Sequence, residues 1–163
     1  MTSAPANPPE SGRTDTASRL IEATPQAIWQ AHTDPARLAR WLPPAGATME
    51  VLALDPVPGG DVRLRLHFAQ TTEGQGKTDA HTDDVTGRFV ALTPPEQLVQ
   101  DVDFISDDPA FSGTMRMTWD MLPEGNGTRV TVTATNVPKG ISAESHIAGL
   151  TSSLENLARE VEQ

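Results

Sequence analysis

The chain of 163 residues contains no cysteine, and this absence removes several kinds of chemistry at once. Disulfide bonds, thiolate catalysis and cysteine-based zinc sites are excluded. No apolar run approaches the length of about 20 residues that a membrane-spanning helix needs, and residues 1–18 lack the apolar segment of a secretory signal. These absences predict a soluble, cytoplasmic protein.

Basic residues are scarce. Twelve lysines and arginines stand against 22 aspartates and glutamates, which gives a formal net charge of −10. Such a chain repels phosphate backbones and anionic lipids, and no local cluster of basic residues offsets that repulsion. We therefore expect neither a nucleic acid nor a membrane surface as a partner.

Motifs typical of catalytic and metal-binding sites are missing as well. Serine and histidine are present, but no G-x-S-x-G nucleophile elbow surrounds any serine. The loop that carries Asp79, His81, Asp83 and Asp84 has neither EF-hand nor His-x3-His spacing, so a solvated turn is the favoured interpretation. The sequence predicts no metal, no cofactor and no catalytic residue that spacing singles out.

The remaining composition, 37% hydrophobic and 21% charged, is that of an ordinary globular domain. Residues 1–17 are different, because they contain prolines among small polar residues and show no apolar period. We predict that residues 1–17 form a disordered tail and that residues 18–163 form one domain.

Two proline signals and a change of period define the predicted elements. A short strand near residues 18–22 is followed by Thr24-Pro25 and Asp34-Pro35, each an N-cap with proline at the first helical position. They predict short helices at about residues 25–32 and 35–41. From residue 48 the apolar period becomes two. The predicted strands are residues 49–54, 62–68, 85–92, 97–105, 115–121 and 128–135, with a long loop at residues 69–84.

The last stretch predicts a long amphipathic helix over about residues 142–161. Ser142 is a favourable N-cap. The expected buried stripe, at steps of three and four, is Ile147, Leu150, Leu154, Leu157 and Val161. An antiparallel sheet with one apolar face must be covered, and only this helix is long enough to cover it. The sequence predicts an α+β fold in which a curved seven-stranded antiparallel sheet surrounds the C-terminal helix.

Eight short segments carry a family resemblance through their order and spacing. They are ATPQAIW at residues 23–29, TDP at 33–35, LARWLP at 38–43, GGDVRL at 59–64, GRF at 87–89, TPPEQL at 93–98, GTRVTV at 127–132 and HIAGL at 146–150. Over residues 18–161 the chain resembles the START-like (SRPBCC, helix-grip) superfamily, in particular the branch related to the activator of the heat-shock chaperone ATPase. The resemblance implies a sheet that grips the last helix, often with a cavity between them.

That implied cavity is the candidate site. We expect it to be bordered by some of eight residues: Trp41, Phe68, Phe89, Phe104, Met117, Trp119, His146 and Leu150. Methionine adapts to irregular shapes, and His146 is the polar residue that the helix directs towards the sheet. The alternative is that these side chains pack the core and that His146 is satisfied by a strand carbonyl or by water.

Three functions remain open at this stage. The first is binding of a small apolar or amphipathic ligand between sheet and helix, by a monomer or homodimer. The second is a protein-interaction module similar to chaperone ATPase activators. The third is a cyclase- or hydrolase-type enzyme, which would need an acid or base from among His67, Asp101, Asp103 and His146. We favour ligand binding over protein interaction, and protein interaction over catalysis.

Overall fold

The computed structural model describes residues 12–68 and 81–162. The strands are β1 (Thr14–Ile21), β2 (Ala47–Leu54), β3 (Asp61–Phe68), β4 (Thr82–Thr93), β5 (Gln97–Ile105), β6 (Met115–Glu124) and β7 (Gly127–Thr135). The helices are α1 (Pro25–Thr33), α2 (Pro35–Trp41) and α3 (Ala143–Val161), with a short 3₁₀ turn at Pro109–Phe111. None of the helices in the described ranges is long and apolar enough to span a membrane.

The seven strands form one antiparallel sheet in the order β1-β7-β6-β5-β4-β3-β2. Sequential strands from β2 to β7 are neighbours, and β1 joins the far edge beside β7, so the first and last strands lie together. The sheet curls around α3, and the two short helices follow β1. The predicted α+β helix-grip architecture is confirmed.

Strand β1 begins at Thr14, four residues before the predicted start. It pairs with β7 in continuous register, from Thr14 opposite Thr135 to Ile21 opposite Thr128. Residues 14–17 therefore belong to the sheet and not to the predicted tail. The apolar alternation was hidden because the first inward position of β1 carries Asp15, which is only 3% exposed. The other residues of the predicted tail, 1–11, lie outside the described part of the chain.

Strand β4 begins at Thr82, inside the stretch predicted as a loop over residues 69–84. Asp83 is buried, and Asp84 accepts a hydrogen bond of 2.6 Å from Nε of Arg65 on β3. Aspartate is rare in strands, so two adjacent aspartates concealed this one, while the opposite-charge pair with β3 favours the ladder. Residues 69–80 of the predicted loop are outside the described residues.

Local capping sets the two short helices as predicted. The Thr24 hydroxyl oxygen accepts a hydrogen bond from the backbone N–H of Ala27 at 3.1 Å. The Asp34 carboxylate accepts from the N–H groups of Ala36 at 3.0 Å and Arg37 at 3.4 Å. These bonds satisfy N–H groups that have no partner inside the helix, so each cap fixes where its helix starts.

Helix α3 also begins where its cap predicts, since the Ser142 hydroxyl oxygen accepts from the backbone N–H of Ser145. Leu150, Leu154 and Leu157 are buried, and α3 packs mainly on β1, α1 and α2. The prediction that Ile147 is buried is wrong, because it is 40% exposed. Leu154 follows Ile147 by seven residues on the same side of the helix, so the helical phase is correct. Within the described residues, no element covers Ile147 fully near the start of α3.

The C-terminal half of α3 is held to α2 and the residues that follow it. The Glu160 carboxylate accepts hydrogen bonds from Arg37 at 3.0 Å and Arg40 at 2.8 Å. The Ser153 hydroxyl donates to the carbonyl oxygen of Leu42 at 2.6 Å. The two halves of α3 therefore differ. The second half is held by these hydrogen bonds to α2 and Leu42, and the first half is less covered.

Candidate ligand-binding site

An aromatic cluster joins α1, α2 and the inner face of β6. The rings of His32, Trp41 and Trp119 meet edge to face, with centroids 4.7 to 5.5 Å apart. All three residues are buried, and the Trp41 indole N–H donates to the carbonyl oxygen of Ala31 at 2.9 Å. Edge-to-face packing at these separations is a favourable arrangement for aromatic rings. The cluster is therefore part of the hydrophobic core.

His32, which sequence reasoning did not single out, is the polar member of that cluster. Its Nδ1 lies 3.1 Å from the carbonyl oxygen of Ile28, and a carbonyl only accepts, so Nδ1 carries the proton. The buried Nε2 makes no hydrogen bond to any described residue. Burial lowers the pKa of His32 to about 4, although its bond to Ile28 acts in the opposite direction. The imidazole is therefore neutral at pH 7.

A row of side chains crosses the inner face of the sheet at Met117, the inward position of β6 next to Trp119. Asp15 on β1 lies opposite Ala134 on β7, Ala134 opposite Met117 on β6, and Met117 opposite Gln100 on β5. Residues that lie opposite each other in a sheet project to the same face. The row therefore brings together a carboxylate, a methyl group, a thioether and an amide on the concave side. We call these four residues the inner row.

Asp15 at one end of the inner row is bound from two sides. Its Oδ2 lies 2.8 Å from Nδ1 of His146 on α3, and Arg13 donates to both carboxylate oxygens at 3.2 and 3.0 Å. A carboxylate only accepts, so Nδ1 of His146 is the donor. Burial raises the pKa of Asp15, but the hydrogen bonds and charges of His146 and Arg13 outweigh that effect and leave its pKa below the usual value. Asp15 is thus an ionised group that orients the imidazole.

Gln100 at the other end of the inner row is an amide at an inward position. It lies opposite Phe89, which is fully buried in the core, and opposite Met117. The Gln100 side chain is half-buried and makes no hydrogen bond to any residue in the described ranges. Neither of its polar atoms is among the buried atoms without a partner. The amide therefore borders space that a solvent molecule or a ligand can reach.

Gly149 lies within the first half of α3. A Cβ placed on it would meet nothing within 4 Å. Residues three and four positions apart share a side of a helix, so Gly149 lies on the same side as Ser152 and Ser153. Ser152 accepts a hydrogen bond of 3.0 Å from the N–H of Ala45, between α2 and β2. The helix thus has room for a side chain on the side that faces this segment.

The eight predicted site residues fall into two groups. Trp41, Phe89, Trp119 and Leu150 are buried in the core. Phe68, Phe104, Met117 and His146 are half-buried on the inner face or beneath the start of α3. A separate cavity of about 50 Å³ lies elsewhere, between the loops at residues 109–112 and 136–139, with room for only a few water molecules.

Sequence reasoning missed Asp15, Gln100 and His32. Gln100 had a readable signal, because it occupies the inward phase of β5 between Leu98 and Val102. Asp15 had none, since its burial depends on His146, 131 residues away. His32 follows the apolar face of α1, and only the docking of α1 on Trp119 shows that it is core.

The sequence matches one family model over most of its length. The family model for the activator of Hsp90 ATPase homolog 1-like protein matches residues 22–162. The chain belongs to this family. The resemblance stated from the sequence is confirmed, and the match covers every element from α1 to α3. No curated protein in the comparison matches the chain.

Solved structures share the fold over nearly the whole chain. A crystal structure from Chromobacterium violaceum is 28% identical, with a TM-score of 0.81, and the match covers 92% of this chain and 97% of that one. A Rhodobacter sphaeroides structure is 23% identical, with a TM-score of 0.74 and coverages of 94% and 93%. A crystal structure of a protein of a dynemicin biosynthetic locus is 20% identical, with a TM-score of 0.64. The match covers 92% of this chain and 47% of that one. The last two likenesses establish the fold alone.

Proposed function

We propose that this protein binds a small apolar or amphipathic molecule between the first half of α3 and the concave face of the sheet. The observation that supports this proposal is the difference in side-chain exposure between the two halves of α3. Leu154 in the second half is 1% exposed, whereas Ile147 in the first half is 40% exposed and Gly149 has open space beside it. We place the ligand-binding cleft beside this less covered first half of the helix.

The chemistry of this cleft suits such a ligand. Phe68, Phe104 and Met117 present half-buried apolar surface, while His146 and Gln100 supply a few polar atoms. Ligand sites are typically apolar with a small number of convergent polar groups. The aromatic cluster of His32, Trp41 and Trp119 would form the rigid floor, and methionine would adapt the wall to the shape of the ligand.

A second candidate function uses the outer face. Leu20 on β1 and Leu122 on β6 both lie opposite Arg129 on β7, so the three side chains form one row on the solvent side. The two leucines are 45% and 51% exposed. Arginine is enriched at protein–protein interfaces, and the buried centre of an interface is more apolar than the rest of the surface. This row supports a protein-interaction role such as the one described in the family name.

A thermal-shift screen of fatty acids, sterols and ring compounds tests the ligand-binding proposal. A ligand that binds only the folded state raises the unfolding midpoint in proportion to the logarithm of its concentration over Kd. The blocking variant is Gly149→Trp, which places an indole in the open space beside α3. The matched control is Glu155→Trp, which adds the same side chain at an exposed position of the same helix.

The proposal expects at least one compound to raise the midpoint of the wild type and of Glu155→Trp, and to have little effect on Gly149→Trp. If no compound raises the midpoint of the wild type, the ligand-binding proposal fails. The outer row then becomes the leading candidate, and Leu20→Ser with Leu122→Ser should abolish binding to a chaperone ATPase in a pull-down.

A further inference from the structure

His32 in the aromatic cluster has one ring nitrogen that the described chain does not satisfy. Its Nδ1 gives a hydrogen bond to the carbonyl oxygen of Ile28 at 3.1 Å. Its Nε2 is buried and makes no hydrogen bond to any residue in the described ranges. Buried polar atoms in folded proteins are nearly always hydrogen-bonded. A buried nitrogen without such a bond indicates a binding position for a group that these residues do not supply.

The chemistry of that group follows from the protonation of the ring. Because Nδ1 carries the hydrogen, Nε2 of the neutral imidazole keeps its lone pair and can only accept. Burial lowers the pKa of His32 to about 4, so the ring carries no charge at pH 7. The group that binds at Nε2 must therefore donate an N–H or an O–H.

The surroundings of His32 favour an uncharged donor on an aromatic body. The rings of Trp41 and Trp119 stand edge to face with the imidazole at centroid distances of 4.8 and 4.7 Å, and both residues are buried. Taking a charged group out of water into such surroundings is costly. A carboxylate, moreover, has no hydrogen to give. A hydroxyl group meets both conditions, and a ring that carries it would pack favourably against other aromatic rings.

Trp119 connects the cluster to the proposed cleft. Met117, the next inward residue on β6, is half-buried and belongs to the inner row. The Trp119 indole N–H makes no hydrogen bond to any described residue, and it is not among the buried atoms without a partner. The edge of this ring therefore borders space that a solvent molecule or a ligand can reach. A molecule beside Met117 would lie next to the ring that contacts His32.

We propose that His32 is the recognition residue of the cleft and that its Nε2 accepts a hydrogen bond from the hydroxyl group of a phenol-type ligand. This inference rests on the proposed ligand-binding function and specifies the ligand class for the same cleft. It distinguishes such a ligand from a fatty acid and from a wholly apolar hydrocarbon. Because Nε2 is buried, side chains beside it must shift for the hydroxyl to reach it.

Three probes with one body test the proposal: 4-propylphenol, 4-propylanisole and propylbenzene. The phenol can donate a hydrogen bond, the methyl ether has the oxygen without the hydrogen, and propylbenzene has neither. Their Kd values are measured by NMR titration of the isotope-labelled full chain at neutral pH. A hydrogen bond made in a binding site contributes about three- to tenfold in affinity. We expect the wild type to bind the phenol more tightly than either of the other probes by a factor of this size.

The variant His32→Phe removes the acceptor and keeps a ring. It should bind propylbenzene much as the wild type does and should lose the advantage of the phenol. Because the phenol is always compared with propylbenzene in the same variant, a general change of shape cancels. The matched control is His67→Phe, since His67 is exposed and bonded to Glu50 on the outer face. This control should keep the full advantage of the phenol.

A second measurement needs no variant. The imidazole nitrogens of the ¹⁵N-labelled wild type are observed directly by NMR. A hydrogen bond to the lone pair of Nε2 changes the shielding of that nitrogen, so its resonance in His32 should move when the phenol binds. It should move much less with the methyl ether, and the resonances of His67 should stay in place with both.

The outcomes separate this inference from the proposed function. If the three probes bind the wild type equally well, or if the advantage of the phenol persists in His32→Phe, the inference is overturned while ligand binding stands. Binding of the phenol without a change in the Nε2 resonance of His32 overturns it as well. If no probe shifts any resonance of the cleft, including that of the Trp119 indole N–H, the proposed ligand site itself is refuted.

Discussion

The carboxylate of Asp15 and the imidazole of His146 meet at 2.8 Å although they are 131 residues apart in the chain. This bond joins the first half of β1 to the first turn of α3. Arg13 adds two further bonds to the same carboxylate. The start of β1 is therefore a structural part of the domain, and it supports the less covered half of the helix.

The first prediction compares a chain that begins at residue 12 with one that begins at residue 18. The shorter chain loses half of the β1–β7 ladder and the Asp15 contacts. A loss of 1 kcal/mol lowers the midpoint of a domain of this size by about 2 to 4 °C, so we expect the midpoint to fall by about 5 °C or more. Thermal unfolding followed by circular dichroism measures it. Equal midpoints for the two chains would contradict a structural role for residues 14–17.

The second prediction concerns the two halves of α3. Leu154→Ala should lower the free energy of unfolding by about 2 to 5 kcal/mol, because it removes buried surface and leaves a cavity against the core. Ile147→Ala, a matched control in the same helix, should cost less than about 1 kcal/mol because Ile147 is already exposed. Urea titration of both variants gives the comparison. Similar costs at the two positions would show that the first half of α3 is as well covered as the second.

The sequence predicted the helices and strands whose apolar periodicity and capping residues match their place in the fold. The alternation of Val62, Leu64 and Leu66 identified β3, and the caps Thr24 and Asp34 identified the starts of α1 and α2. Gly87 on β4 lies against the backbone of β5, since a Cβ there would collide with the carbonyl oxygen of Asp101. Where periodicity, capping and turn chemistry pointed the same way, the fold could be predicted.

What the sequence did not predict depends on contacts between distant segments. Asp15 is buried because His146 and Arg13 satisfy it, and no local pattern announces a partner 131 residues away. Gln100 matters because strand register places it in line with Met117 and Asp15, and register is a property of the assembled sheet. Functional sites are where local rules and global structure most often disagree.

The third prediction is a pH dependence of stability caused by His32. Burial lowers the pKa of its folded form to about 4, while the unfolded chain has a pKa near 6.5. Between these values the unfolded state binds the extra proton, so stability falls as the pH drops from about 6.5 towards 4. The total effect is about 3 kcal/mol at most. Urea unfolding at several pH values between 7 and 4 measures the slope.

Two variants isolate the contribution of His32. His32→Phe should flatten the stability profile between pH 6.5 and 4, since a phenyl ring fits the aromatic cluster without a titratable group. His67→Phe is the control, because His67 is exposed and bonded to Glu50 on the outer face. Asp15 has a lowered pKa, so its contribution is lost only at pH values below about 4. A slope unchanged in His32→Phe would contradict this assignment.

The last prediction is that Gly149→Ala stabilises the protein. Glycine inside a helix costs about 1 kcal/mol relative to alanine, and the added Cβ at this position meets nothing within 4 Å. We expect the free energy of unfolding to rise by up to about 1 kcal/mol in a urea titration. Gly87→Ala is the opposing control, because its Cβ would collide with the backbone of β5 and must destabilise. If Gly149→Ala also destabilises, the space beside the first half of α3 is filled, and the cleft on which the proposed function depends is absent.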